Sequence, residues 1–225
     1  LDEPVGFVDV PARFVARQLN ALTGGEMLRE AIANMPAPDD PGNDKLIGLL
    51  DLKALAHGGH DKVLAEPSSS SAVIGEIHSY DDVESREHDY ELPGAVVYAK
   101  LPGWYRVRLD DGRFGWLSAE HTGTWFPYAE LPVRRLSYLT AEWSGLVWPS
   151  TGAGIPLRLD IEEGRNEYPV EVTDTAETAG TTWFRVEVLK TDPCSGEPRK
   201  VKAAGWVPAY GRNGNPTVWF YSRGC

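Results

Sequence analysis

The feature that most restricts how this chain can fold is a pattern that occurs twice. GWYRVRL at 103–109 returns as TWFRVEV at 182–188, with Trp183 in the place of Trp104, Arg185 of Arg106 and Val186 of Val107. GWL at 115–117 is answered by GWV at 205–207, TWFPY at 124–128 by VWFY at 218–221, and EPSSSSAVIGEI at 66–77 by WPSTGAGIPLRL at 148–159. Landmarks repeated in one order mark an internal duplication of about ninety residues, so the fold must be small enough to be built twice. The second copy differs chiefly by LKTDPCSGEPRKVKAA, an insertion between two strands of a hairpin.

The repeated segments are written as strands. From about residue 61, short runs rich in Val, Ile, Tyr, Phe and Trp are separated by Gly, Pro, Ser, Asp and Asn. From Trp104 to Leu109 the pattern alternates, which puts Tyr105, Val107 and Leu109 on one side and Trp104, Arg106 and Arg108 on the other. Asp111 and Gly112 offer the positive backbone angles of a tight hairpin turn. The first residues read differently. Phe14, Val15, Leu19, Leu22, Met27, Leu28 and Ile32 fall at helical spacing, interrupted by Gly24 and Gly25, and predict two short helices. MPAPDDPGND at 35–44 has linker composition.

Charge and hydropathy exclude several functions. A net charge of -11 repels phosphate backbones and anionic lipid, so no nucleic-acid partner is expected. No apolar run approaches the ~18 residues of a membrane-spanning helix. The longest candidate, LIGLLDLKALA at 46–56, is interrupted by Asp51 and Lys53. The sequence begins at Leu1 rather than methionine, which suggests a removed upstream stretch, a secretory leader being one candidate. Cys194 and Cys225 are an even pair that suits a disulfide pinning a tail in an oxidising compartment, with two free thiols as the alternative. Such a closure contributes roughly 3.5 kcal/mol on chain-entropy reasoning.

Chemistry-bearing clusters are few. HGGHD at 57–61, with His78, Asp81, Asp82, His88 and Asp89, invites a metal reading, but its spacing fits no established ligand pattern. TGAGIP is followed by no helix and is not a phosphate loop. Ser68 to Ser71 read as turn residues. No histidine follows either cysteine, so a cysteine nucleophile with a downstream base is not expected. Neither catalytic residues, a metal nor another cofactor are assigned.

The landmarks PSSSSAVIGEI, GWYRVRL and DGRFGWL resemble those of bacterial SH3 domains, and the second copy resembles them more loosely, with Thr182 before Trp183 and a stretched hairpin. The resemblance covers roughly residues 61–130 and 145–221. It implies a mainly all-β chain, two SH3-like small β-barrels in tandem behind a short helical N-terminal segment. The domains are then 1–44 (helical segment and linker), 45–131 and 132–225. It also implies a non-enzymatic, exported binding module, periplasmic or extracellular, whose partner is a cell-wall peptide or an envelope protein.

The outward positions give the candidate site. Trp104, Arg106 and Trp116 in the first copy and Trp183, Arg185 and Trp206 in the second form rigid aromatic surfaces beside an arginine able to hold a carboxylate. Tyr128 and Tyr210 complete the two sets. A second reading stays open at this point: the tryptophans cover barrel ends or pack the copies or subunits together, as in an assembly scaffold. A third makes the chain the targeting part of a cell-wall peptidase.

Overall fold

The computed structural model describes residues 44–160 and 167–224, and among them the chain is antiparallel β with two single-turn 3-10 segments and no α-helix. The helices and linker expected before residue 44 lie outside the described residues. The first half contributes β1 (Gly48–Leu50), β2 (Asp61–Leu64), β3 (Val73–Ile77), β4 (Ser85–Asp89), β5 (Leu92–Leu101), β6 (Trp104–Arg108), β7 (Phe114–Ser118) and β8 (Trp125–Pro127). They hydrogen-bond in the order β3-β2-β7-β6-β5-β1-β8, with β4 added to β5. Alternation along β6 is as the sequence predicts, with Tyr105, Val107 and Leu109 buried. The β6–β7 turn differs in detail. Leu109 and Arg113 bond across it, and Gly112 takes a positive φ of 86° while Asp111 does not; one left-handed residue is what a three-residue hairpin loop needs.

The second half contributes β9 (Leu136–Leu139), β10 (Leu146–Val147), β11 (Leu157–Arg158), β12 (Tyr168–Thr178), β13 (Thr181–Leu189), β14 (Val201–Pro208) and β15 (Val218–Phe220). Five of them run β14-β13-β12-β9-β15, and β11 pairs with β10. Trp148, directly after β10, exchanges both backbone hydrogen bonds with Trp206 of β14, at 2.8 and 2.7 Å. The full path is then β11-β10-β14-β13-β12-β9-β15, the order of the first half strand for strand, with β4 having no counterpart.

The glycine before each GW tryptophan follows from this crossing. A Cβ on Gly115 would sit 2.4 Å from Val63 Cγ1 and 3.0 Å from the Leu64 carbonyl oxygen; one on Gly205 would sit 2.7 Å from Val147 Cγ1 and 2.4 Å from the Trp148 carbonyl oxygen. The same strand passes over the same glycine in both halves, at a separation only a residue without a side chain permits.

Among the described residues there are two large apolar clusters and a small third one of Leu146, Trp148 and Trp183. One of the large pair lies inside the first half around Val63, Ile77, Val107 and Leu117. The other joins the halves, since Leu46, Leu49, Val96 and Tyr128 pack with Val170, Phe184, Val207 and Trp219. Polar contacts lock the same seam. The Tyr128 hydroxyl donates to the Val218 carbonyl at 2.6 Å and lies 3.2 Å from that of Ala209, and the Tyr210 hydroxyl donates to the Leu46 carbonyl at 2.8 Å. β4 adds one cation over a ring and one carboxylate: Arg86 lies 4.7 Å from the Trp219 ring, and Glu87 accepts from Ser222 and Arg223. Arg135 answers from the second half, donating to the His88 carbonyl and covering the Phe220 ring.

Two of the residues expected at a ligand are therefore placed elsewhere. Tyr128 is 1% exposed and Tyr210 9% exposed. Each buries its ring in the seam because its hydroxyl finds a carbonyl of the other half, which removes the cost of burying it. Cys194, in the β13–β14 connection, is disulfide-bonded; Cys225, the other cysteine of the chain, lies outside the described residues.

Candidate functional site

The first-half candidates come together on one face. In the β6–β7 ladder Arg106 is opposite Trp116 and Trp104 opposite Ser118, and Trp104, Arg106 and Trp116 are all half-buried. Arg106 is already engaged, however. It pairs with Asp44 at 3.0 Å and lies 4.1 Å from the centre of the Phe114 ring, so the carboxylate it was expected to recruit is supplied by the chain itself.

The second-half candidates are not arranged alike. Alternation does turn Trp183 to the outer face, but that face is covered: Trp183 is 0% exposed, edge-on to Trp148 at 6.1 Å and packed with Leu146, with Trp206 half-buried against the cluster. Arg185 is exposed, opposite Trp206. The expectation of a ligand face at Trp183 is corrected by what lies over it.

The registers say what replaced what. β2 and β3 put Asp61 opposite Ile77 and Lys62 opposite Glu76, while β10 and β11 put Leu146 opposite Arg158 and Val147 opposite Leu157. Leu64 pairs with Trp116 as Trp148 pairs with Trp206, and Ser118 faces Trp104 as Pro208 faces Trp183. Counting from these anchors, the first half has Asp61, Lys62, Leu64, Ser118, Glu120 and His121 where the second has Gly145, Leu146, Trp148, Pro208, Tyr210 and Gly211. Asp61, Lys62, Ser118 and His121 give way to glycine, leucine, proline and glycine, Glu120 to a tyrosine, and the one aliphatic member to a tryptophan.

The consequence is a space that is open beside Trp104 and filled beside Trp183, the second half keeping a smaller cleft of ≈ 320 Å³ at Ser144, Pro208, Tyr210 and Gly211, the positions that match His60, Ser118, Glu120 and His121. Between the β2–β3 loop and the β6–β7 ladder, a cleft of ≈ 710 Å³ is lined by Leu64 and Trp104, with His60, Asp61, Ser118 and His121 also at its walls. In the second half the matching positions carry the indoles of Trp148 and Trp183 in contact. A concave surface with one aromatic wall and a few convergent polar groups is the usual form of a small-ligand site.

Asp61 is its most unusual group. Alternation along β2 turns it inward with Val63, it is 3% exposed, and its Oδ2 has no hydrogen-bond partner. Burial pushes its carboxyl above the ordinary 3.8, and the charges of His121 and then His60 bring it only part of the way back. An aspartate raised in the folded state supports folding below its unfolded pKa and ceases to do so as pH rises through the folded value. Asp61→Asn, neutral throughout, is therefore expected to gain stability over the parent at pH 7 by on the order of 1 kcal/mol, and to show little gain at pH 3. Urea denaturation at the two pH values measures this; a variant less stable than the parent at pH 7 would show that the carboxylate is satisfied.

Of the histidine-rich stretch, His60 and Asp61 line this cleft, whereas His78 and His88 line another beside Asp51 and Tyr80. His60 and His78 rings are 5.2 Å apart, Asp82 accepts from the backbone N–H groups of His78 and Ser79, and His88 pairs with Asp51 at 2.8 Å. Among the described residues no group of three or more His, Cys, Asp or Glu could hold a metal ion. Asp61 went unassigned in the sequence as a cleft residue, although a signal was present: a charge at an inward position of a strand whose next inward residue is valine. No protein-family model matches the chain, and no curated protein matches it either.

Proposed function

We propose that this chain is a non-enzymatic binding module of the bacterial envelope, built of two SH3-like halves of which the first carries the ligand and the second is a structural support. The partner is a cell-wall peptide or a segment of an envelope protein. What carries the reading is the unequal fate of one groove, open and polar beside Trp104 and filled by Trp148 beside Trp183. The shared strand order and the bacterial SH3 resemblance of the repeated landmarks support the same assignment, as does a bonded Cys194, which suits an oxidising compartment. A scaffold role for the second half is favoured by one observation, the seam in which Tyr128, Trp219 and Phe220 are buried.

The test transplants the closed groove onto the open one. Leu64→Trp with Lys62→Leu copies Trp148 and Leu146, and calorimetric titration with solubilised peptidoglycan fragments reads the result. The parent is expected to bind saturably, and the double variant to lose at least about tenfold in affinity, ~1.4 kcal/mol, while its circular dichroism and unfolding midpoint are kept. Binding unchanged in the filled variant places the ligand elsewhere. Flat heats for the parent across the fragment set remove the cell-wall ligand.

A further inference from the structure

We infer that the cleft takes a protonated primary amine, the ammonium of a peptide amino terminus or of a diamino-acid side chain, with the Asp61 carboxylate as its counter-charge and the Trp104 ring as its wall. This rests on the proposed role of the cleft as a ligand site and names the chemistry it reads.

The observation behind it is a need left unmet within the chain. A buried carboxylate oxygen normally accepts at least one hydrogen bond, and leaving it without one is costly. Asp61 Oδ2 accepts none and is itself buried, while Asp61 is one of the residues that line the cleft. His60 and His121 share the walls and act on Asp61 through space, and neither forms an ion pair with it. Glu120 adds a second carboxylate at the same wall. Lys62, the neighbour on β2, is exposed and also lines the cleft.

The aromatic wall adds the second element. An ammonium over the face of an indole is attracted by the ring quadrupole, more so where water is partly excluded. Trp104 is half-buried and lines the cleft that also holds Asp61. A carboxylate and an indole around one space favour an organic cation over an anion. The second half shows the converse: with Gly145 in the place of Asp61 the carboxylate is absent, and the space beside Trp183 holds apolar rings.

The desolvated carboxylate also explains selectivity for a charged donor over a neutral one. A neutral amide would satisfy the oxygen's hydrogen bond and leave the charge unanswered; an ammonium supplies both. Acetylation of the amine is then the smallest change that removes recognition without altering peptide length or backbone.

The experiment is a titration of the 15N-labelled protein at pH 7.5 with the tripeptide Ala-Lys-Ala and its Nα-acetyl, Nε-acetyl and doubly acetylated forms, following the indole N–H signal of Trp104 and the backbone signals of residues 60–64 and 118–121. The free tripeptide is expected to shift these signals saturably, and the doubly acetylated form to bind at least about tenfold more weakly. The two singly acetylated forms report whether the terminal or the side-chain amine is read. Asp61→Asn is expected to erase the difference between free and acetylated probes while its spectrum stays folded, and Trp104→Ala to weaken all amine-bearing probes. Equal binding of free and doubly acetylated peptides, discrimination that survives in Asp61→Asn, or no shift by the free tripeptide at millimolar concentration each overturns the inference. Peptidoglycan fragments that bind, and are lost on filling the groove, while acetylation makes no difference would overturn the amine alone and leave the binding module standing.

Discussion

Replacing Trp183 by alanine is expected to lower the free energy of unfolding by about 3–5 kcal/mol, against no more than about 1–2 kcal/mol for Trp104→Ala. The two residues occupy one position of the duplicated pattern, so local propensity and strand register are held constant between them. What differs is the covering. Trp183 is wholly buried with Leu146, Trp148 and Trp206 around it, and its removal leaves a cavity between strands that cannot close. Trp104 borders a cleft already open to solvent, so much of the space it leaves is already outside the packed interior. The buried Trp183 Nε1 has no hydrogen-bond partner, which subtracts from its contribution. Trp183→Phe is for that reason expected to recover most of the loss. Urea denaturation followed by far-ultraviolet circular dichroism decides the matter, and equal costs for the two alanine variants would show the two grooves to be packed alike.

Tyr128→Ala is expected to cost about 3–5 kcal/mol and to loosen both halves together, although Tyr128 belongs in sequence to the first. Its ring stacks near Trp219 at 5.8 Å and meets Phe184 edge-on at 5.4 Å, both second-half residues, and its hydroxyl donates across the seam to Val218. Tyr128→Phe keeps the ring and leaves the Val218 carbonyl without that donor, at about 1–2 kcal/mol. Hydrogen exchange read separately on β6 and β13 tests the coupling. Protection lost in both strands in Tyr128→Ala marks the seam as the joint that makes one folding unit of the halves, whereas loss in β6 alone would make them independent.

How far the site could be read in advance differs residue by residue. The outward placement of Trp104, Arg106 and Trp116 was legible because a strand's period of two is a local property of the backbone. That Arg106 already holds Asp44 was not, since the two residues are distant in the chain and meet only when β6 passes the entry to β1. Trp183 shows the limit most directly: its direction followed from alternation, but its burial depends on a residue thirty-odd positions earlier, brought over it by the Trp148–Trp206 bridge. Tyr128 and Tyr210 belong to the candidate ligand set by sequence, and their partners, carbonyls of the other half, cannot be inferred from any local pattern. Asp61 was legible as an inward charge, and its lack of a partner was not.

The amino-acid sequence by itself determined the β character of residues 61 onward, the duplicated landmarks and the alternation of β6, because each depends on backbone period, turn chemistry or the order of residues alone. Only the tertiary structure decided that the halves share a core, that the space beside Trp183 is filled and the one beside Trp104 open, and that Asp61 lines the open one with a buried oxygen that has no donor. Those outcomes depend on which side chain arrives from a distant strand, leucine at 64 or tryptophan at 148, and the volume of that one side chain, set against the same ring, is what separates a cleft from a core.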